Sequence, residues 1–339
     1  MRIAVDAMGG DLGPLEVVKG VLEAAKQSRT HFLLVGDKSL LSPEVQRAGL
    51  TNVEVIPATQ VIEMTEQPTV AFKKKQDSSL VVATRLVKQE EASAVISIGN
   101  TGAAMAVALL TLGRIKGIDR PAIATILPSN TGLAVMLDSG ATVDCDPNNL
   151  YEFALMGCVY AEKALGISLP RLGLLSNGEE DSKGNDLVKR TNALFRQAFA
   201  GDTNLTFVGN IEGRDIYRGE IDVVVCDGFL GNVVLKTSEG VAEMIQTLLK
   251  EEMNRLGFAK AFALPLKPAF RALKKRVDYA ERGGAPLLGI NGVCIIGHGR
   301  SNAYAILNAC KVAERAVENR IVETIRERIS LSPSPPPLA

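Results

Sequence analysis

Histidine is scarce in this chain: among 339 residues there are two, His31 and His298. Five cysteines stand far apart, at positions 145, 158, 226, 294 and 310, and no two form a Cys-x-x-Cys pair. A zinc centre built from several His or Cys is therefore not expected, and neither is a disulfide framework. The cysteines read as small core residues in a reducing compartment. Net charge is missing as well, because 38 basic residues balance 38 acidic ones. That excludes a chain that binds polyanions over its whole surface, and no recognition fold for nucleic acid is apparent. No apolar run is long enough to span a bilayer. The first residues, Met1 to Asp6, read as a strand and not as a charged leader with an apolar run, so a cytoplasmic location is expected. Familiar signatures are absent too. There is no G-x-x-x-x-G-K-[ST], no G-x-G-x-x-G after the first strand, no G-x-S-x-G and no H-E-x-x-H. Chemistry without a covalent enzyme intermediate is expected, resting on positioning and charge stabilisation.

What is present is apolar and alternating. Hydrophobic residues make up 46% of the chain, enough for one large α/β domain or two smaller ones. Runs rich in Val, Ile and Leu read as strands buried on both faces: Arg2–Ala7, His31–Val35, Val53–Pro57, Ala94–Ile98, Ala122–Leu127, Leu133–Leu137, Arg171–Leu175, Leu205–Val208, Asp222–Cys226 and Gly292–Ile296. Helical patterns lie between most of them, at Leu15–Lys26, Ser79–Glu90, Ala103–Leu112, Leu150–Leu165, Asp186–Phe199, Ser238–Leu256 and Ser301–Arg328. The alternation predicts an α/β fold around a largely parallel sheet, with ligands at the carboxyl ends of the strands. Residues 1–329 read as a single domain, with room for a second lobe after the middle. Residues 330–339 hold four prolines and read as a disordered tail.

Four strand candidates run directly into Gly, Asn, Asp or Thr. The first turn holds Asp6, Gly9, Gly10 and Asp11, and the second Gly99, Asn100, Thr101 and Gly102. The third holds Asn177, Gly178, Lys183, Gly184 and Asn185, and the fourth Asp227, Gly228, Gly231 and Asn232. Glycine lets a backbone approach a ligand closely. A helix starting just after the second and fourth turns would aim free N–H groups at an anion. Each turn alone is an ordinary strand–helix connection; four together suggest a shared polar site. His298 lies between Gly297 and Gly299 after an apolar strand, with room to face a ligand. His31 begins a strand in an unremarkable setting and reads as structural.

From Arg255 to Arg276 there are seven basic residues and no acidic one, interleaved with Leu256, Phe258, Phe262, Leu264, Leu266, Phe270 and Leu273. Pro265 and Pro268 should break this segment into two short helical pieces. Its composition suits a membrane surface with anionic lipids. It suits equally an acidic protein partner, or packing on the core or on a second subunit.

Taken in order, these motifs carry a resemblance from Arg2 to about Arg328. Asp6 to Asp11, Ser97 to Ala103, Gly178 to Asn185, Asp222 to Asn232, Gly283 to Gly289 and Gly297 to Gly299 together resemble the phosphate acyltransferase family, the acyl-ACP:phosphate acyltransferases. One departure is Thr142, where asparagine would be expected. The resemblance implies a Rossmann-like α/β/α sandwich similar to the isocitrate and isopropylmalate dehydrogenases, with a protruding helical hairpin. It implies a homodimer that takes a long-chain acyl group from acyl carrier protein to inorganic phosphate. The acyl-phosphate would pass to a membrane glycerol-phosphate acyltransferase for phospholipid synthesis. No metal or organic cofactor is implied. A peripheral contact with the inner face of the cell membrane is implied, and it suits Phe258, Phe262, Leu264 and Leu266.

Phosphate is already an anion, so it needs no Ser or Cys nucleophile. On this reading Asn100, Thr101, Gly102 and Asn232 hold phosphate or the oxyanion, and Lys183 supplies positive charge. His298 donates to the oxyanion or to the leaving sulfur, and Asp6 and Asp227 orient the donors. Gly9, Gly10, Asn185 and Gly228 complete the expected contacts. Two rival readings remain: a short-chain phosphotransacetylase acting on acyl-coenzyme A, and a non-catalytic scaffold recruited to the membrane.

Overall fold

The computed structural model describes residues 1–255, 276 and 278–332. The expected hairpin, with Phe258, Phe262, Leu264 and Leu266, lies outside the described residues. In chain order the strands are β1 (Arg2–Asp6), β2 (His31–Gly36), β3 (Val53–Pro57), β4 (Ala94–Ser97), β5 (Ala122–Ile123), β6 (Thr125–Pro128), β7 (Leu133–Leu137), β8 (Arg171–Leu175), β9 (Thr206–Ile211), β10 (Val223–Val225), β11 (Ala285–Leu288) and β12 (Val293–Ile296). The helices are α1 (Pro14–Gln27), α2 (Lys38–Ala48), α3 (Pro68–Lys74), α4 (Ser79–Lys88), α5 (Thr101–Leu112), α6 (Pro147–Leu165), α7 (Asp186–Ala198), α8 (Gly228–Arg255), α9 (Ala303–Glu318) and α10 (Ile321–Leu331).

Two sheets form. The first has the order β3-β2-β1-β4-β12-β11-β5, and the second the order β6-β7-β10-β8-β9. The runs rich in Val, Ile and Leu pair in parallel: β1 with β2 and β4, β4 with β12, and β10 with β7 and β8. The antiparallel pairs are β11 with β12, β11 with β5, and β6 with β7. The chain leaves the first sheet after β5, so the run expected as one strand, Ala122–Leu127, is two strands in different sheets.

Helices cover both faces of the first sheet. Along β1, Ile3 and Val5 enter one hydrophobic cluster and Ala4 the other, the period-two alternation of a strand buried on both sides. The cluster holding Ile3 also takes in Val223 and Val225 of the second sheet and the buried face of α6. One core therefore joins the two sheets, and the α/β/α layering expected of a Rossmann-like fold is present. Among the described residues, no helix is long and apolar enough to cross a membrane.

Several boundaries differ from expectation for identifiable reasons. Helix α8 begins at Gly228, ten residues before the expected start at Ser238. Gly228, Gly231 and Asn232 disguise its first turn. The expected helix Ser301–Arg328 is two helices, broken where Arg320 takes a left-handed φ of 51°. Beside the break, the Asn319 amide donates to the Lys163 carbonyl of α6 at 2.8 Å. Helix α2 is capped by Asp37 yet buries only Leu41 and carries Pro43 inside, so its apolar period is faint. The last helix runs on to Leu331, past Ser330 where the tail was expected to begin. Residues 333–339 lie outside the described residues.

Candidate functional site

A cavity of about 1340 Å³ lies between α8 and the strand ends where the two sheets meet. That exceeds the ~300–1,000 Å³ of an ordinary small-molecule pocket. Thr101, Ser139, Asn232, Lys236 and His298 form a polar part of its wall. Ile126, Leu127, Leu235, Ile245, Leu249 and Met253 make an apolar wall. Of the expected site residues, Thr101, Asn232 and His298 come together here. Asp6, Gly9, Gly10, Asn100, Gly102, Lys183, Asn185, Asp227 and Gly228 do not line the cavity.

Most of that second set build its frame. Asp6 is buried and accepts from the Met8 amide at 3.3 Å and the Ser97 hydroxyl at 3.2 Å. Burial raises its pKa above the usual carboxylate range, against those bonds. A Cβ on Gly9 would lie 2.8 Å from the Gly99 nitrogen, so the first and second turns touch backbone to backbone. Asn100 caps α5, accepting from the Ala103 amide at 2.9 Å while its own amide donates to the Met64 carbonyl at 2.9 Å. Its side chain thus ties the second turn to residues 63–66. What α5 offers the cavity is Thr101, the first residue of the helix, whose amide has no acceptor within the helix. Gly102 packs on Pro68.

The fourth turn is organised by Asp138, a residue whose role the sequence did not disclose. Its side chain is fully buried. Oδ1 accepts from Ile123 at 2.8 Å and Gly140 at 3.2 Å, and Oδ2 from Ala141 at 2.8 Å and Thr142 at 2.6 Å, all backbone amides. Burial raises its pKa, and the four N–H groups oppose that rise. Gly228 and Gly231 let α8 dock on this turn. A Cβ at Gly228 would meet Asp138 Oδ2 at 2.5 Å, and one at Gly231 would meet the Asp138 carbonyl oxygen at 1.8 Å. The Gly228 amide donates to the Thr142 carbonyl at 2.8 Å, and Asp227 caps α8 by accepting from Leu230 at 2.8 Å. Docked in this way, α8 sets Asn232 against Gly140.

His298 is half-buried, and its Nδ1 accepts the Arg300 amide at 3.1 Å. In the neutral ring the proton therefore sits on Nε2. Burial lowers the His298 pKa below the usual histidine range. The nearby Lys236 charge, and then that of Arg300, push the same way, while Glu239 and Asp11 oppose. The ring is thus a neutral N–H donor at pH 7.

Lys183 is exposed, in the turn after β8, and Asn185 caps α7 by accepting from the Val188 amide at 2.9 Å. Among the described residues, none between 140 and 216 lines the cavity. The lining residues missed from sequence include Ser139, Thr125 and Lys236. Ser139 and Thr125 share a hydroxyl–hydroxyl bond of 2.6 Å. Lys236 follows Asn232 by one helical turn, a spacing visible only once the start of α8 is known.

The family model described as "Fatty acid synthesis protein" matches residues 1–324. The phosphate acyltransferase of Pelotomaculum thermopropionicum is 53% identical over 332 residues, covering 97% of this chain and 95% of its own length. That of Heliobacterium modesticaldum is 51% identical, covering 97% and 98%. Among solved structures, a phosphotransacetylase from Streptococcus pyogenes superposes with a TM-score of 0.62 at 16% identity, covering 93% of this chain and 94% of that one. The EutD phosphotransacetylase from Staphylococcus aureus gives 0.58 at 15%, with the same coverage. At those identities the likeness speaks for the fold alone. The chain belongs to the phosphate acyltransferase family.

Proposed function

We propose that this chain transfers a long-chain acyl group from acyl carrier protein to inorganic phosphate, releasing acyl-phosphate for phospholipid synthesis. The observation that carries this reading is the two-part cavity: a polar wall with N–H and ammonium donors, continuous with an aliphatic wall along α8. From Lys236 to Met253 that helix rises about 25 Å. One lipid chain spans about 15 Å, half the hydrocarbon core of a bilayer. An acetyl group needs nothing of the kind, which disfavours the short-chain phosphotransacetylase reading.

A phosphate oxygen attacks the thioester carbonyl, a tetrahedral oxyanion forms, and the carbon–sulfur bond breaks to release a thiolate. His298 Nε2–H, Asn232 and the Thr101 amide at the start of α5 stabilise the oxyanion and the phosphate. A neutral imidazole is a poor proton donor, so His298 acts as a hydrogen-bond donor to oxygen and not as an acid toward sulfur. The thiolate leaves unprotonated, which its ordinary pKa of about 8.5 permits. Asn100, Gly102, Asp6, Gly9, Gly10, Asp227 and Gly228 hold these donors in place. Lys183 and Asn185, in the turn after β8, lie outside the cavity lining.

The protein acts as a homodimer in this reading. Phe229, Val233, Met244 and Leu248 of α8 are exposed and lie near one stripe, an apolar face suited to a second copy. The basic, apolar composition of 255–276 supports peripheral contact with the cytoplasmic face of the membrane, where a glycerol-phosphate acyltransferase would take up the product. Palmitoyl-acyl carrier protein and acetyl-coenzyme A, each supplied with phosphate, test the reading through hydroxylamine-trapped acyl-phosphate. Product from the first alone is expected. Product from acetyl-coenzyme A alone would favour the phosphotransacetylase, and no product from either would leave a scaffold.

A further inference from the structure

Phosphate needs a cation. Lys236, Lys250, Arg276 and Arg282 all line the cavity, and Lys236 is the one whose charge acts on His298. Asn232 and Lys236 stand four residues apart on α8, so they share a face. Both line the cavity with His298 and Thr101. Asn232 is held against Gly140, which fixes the turn of helix from which Lys236 extends. The Lys236 ammonium pairs with Glu239 at 2.8 Å, and both side chains retain access to water, at 52% and 31%. A pair so exposed is weak, worth well under ~1 kcal/mol, so an incoming dianion can take the ammonium over. Lys183 is exposed beyond the second sheet and does not line the cavity.

Resting on the acyltransfer reading above, we propose that Lys236 is the cation that binds inorganic phosphate beside His298, and that Glu239 holds the ammonium while the site is empty. The phosphate takes the place of the Glu239 carboxylate on Nζ, and its charge is neutralised where the tetrahedral oxyanion will form. Lys236 lies close enough to the imidazole that, after burial, its charge is the foremost cause depressing the His298 pKa.

The experiment uses the full chain with Lys236→Met, Lys236→Arg, Glu239→Gln and Lys183→Met. Circular dichroism verifies the fold; Lys236 is half-exposed, so the variants should keep it. Inorganic phosphate binding is read by calorimetry, independently of turnover, and the His298 ring by NMR titration. Loss of one charge-assisted bond should weaken phosphate binding by about 10–100-fold in Lys236→Met, leave the Michaelis constant of the acyl donor unchanged, and raise the His298 pKa. Lys236→Arg should restore most of the binding, and Glu239→Gln should tighten it. Unchanged phosphate affinity in folded Lys236→Met, or a loss confined to Lys183→Met, overturns the proposal. A wild-type protein that binds phosphate through Lys236 but forms no acyl-phosphate defeats the acyltransfer reading and leaves this assignment standing.

Discussion

Replacing Gly231 with alanine should dislodge the start of α8 and, with it, one wall of the cavity. The new Cβ would lie 1.8 Å from the Asp138 carbonyl oxygen, 2.9 Å from the carbonyl carbon and 3.0 Å from Cys226 Sγ. Relief to an ordinary contact requires a separation of about 1.5 Å more. Asp138 cannot retreat: its amide donates to the Cys226 carbonyl at 2.9 Å, the Cys226 amide donates to the Leu137 carbonyl at 2.8 Å, and its side chain holds four further amides. The helix must move instead. Overpacking typically costs about 1–3 kcal/mol, and we expect the upper end because the clash is with fixed backbone. Asn232, the next residue, would move with the helix, and a shift of that size costs on the order of 10²-fold in rate. Gly240, in the same helix, is the control. A Cβ there meets nothing within 4 Å, so Gly240→Ala should stabilise by roughly 0.5–1 kcal/mol and leave the rate alone. Urea unfolding and acyl-phosphate formation read both variants. A Gly231→Ala protein with wild-type stability and rate would refute the docking of α8 on Asp138 as the feature that places Asn232.

Three further outcomes are expected. Asp138→Asn turns an amide donor toward Ala141 and Thr142 and loses charge-assisted bonds at one oxygen, so urea unfolding should show a loss of roughly 3–6 kcal/mol; wild-type stability would mean that the carboxyl is already protonated. His298→Gln should lower turnover by about 10²–10³-fold with little change in phosphate affinity. Because burial, Lys236 and Arg300 depress the His298 pKa against Glu239 and Asp11, the wild-type turnover at saturating phosphate dianion should hold through the usual histidine range. It should fall only at lower pH, where Nδ1 gains a proton facing the Arg300 N–H; a rate that rises below that range would contradict the donor role. Glu152 on α6 accepts the Asp119 amide at 2.8 Å, and burial raises its pKa from 4.5 to about 7. The folded state therefore binds the extra proton between those values, and stability declines as pH rises through them. Glu152→Gln should flatten that decline in thermal scans at pH 5 and pH 8; an unchanged pH dependence would place the decline elsewhere.

The sequence by itself determined the class of fold and the family. Apolar runs such as Val223–Val225 and Ile3–Val5 have no polar alternation, and only a strand covered on both faces tolerates that. The order of the Gly, Asn and Asp turns after them was specific enough to carry the family, because each turn type is set by local backbone chemistry. Two features were beyond its reach. One was the split of the sheet at Ala124, because β5 and β6 are contiguous in the chain and differ only in which partner each finds across the molecule. The other was which residues line the cavity. Asn100, Gly228 and Asp227 look like ligand groups in sequence, yet in the fold they cap helices or pack on Asp138. Lys236 looks like a surface lysine until α8 is known to begin at Gly228, because a residue's face on a helix depends on where the helix starts. Strand-end chemistry is local and can be read from neighbours in the chain. Which strand ends share one cavity is decided by contacts between residues far apart, and only the packed tertiary structure supplies those.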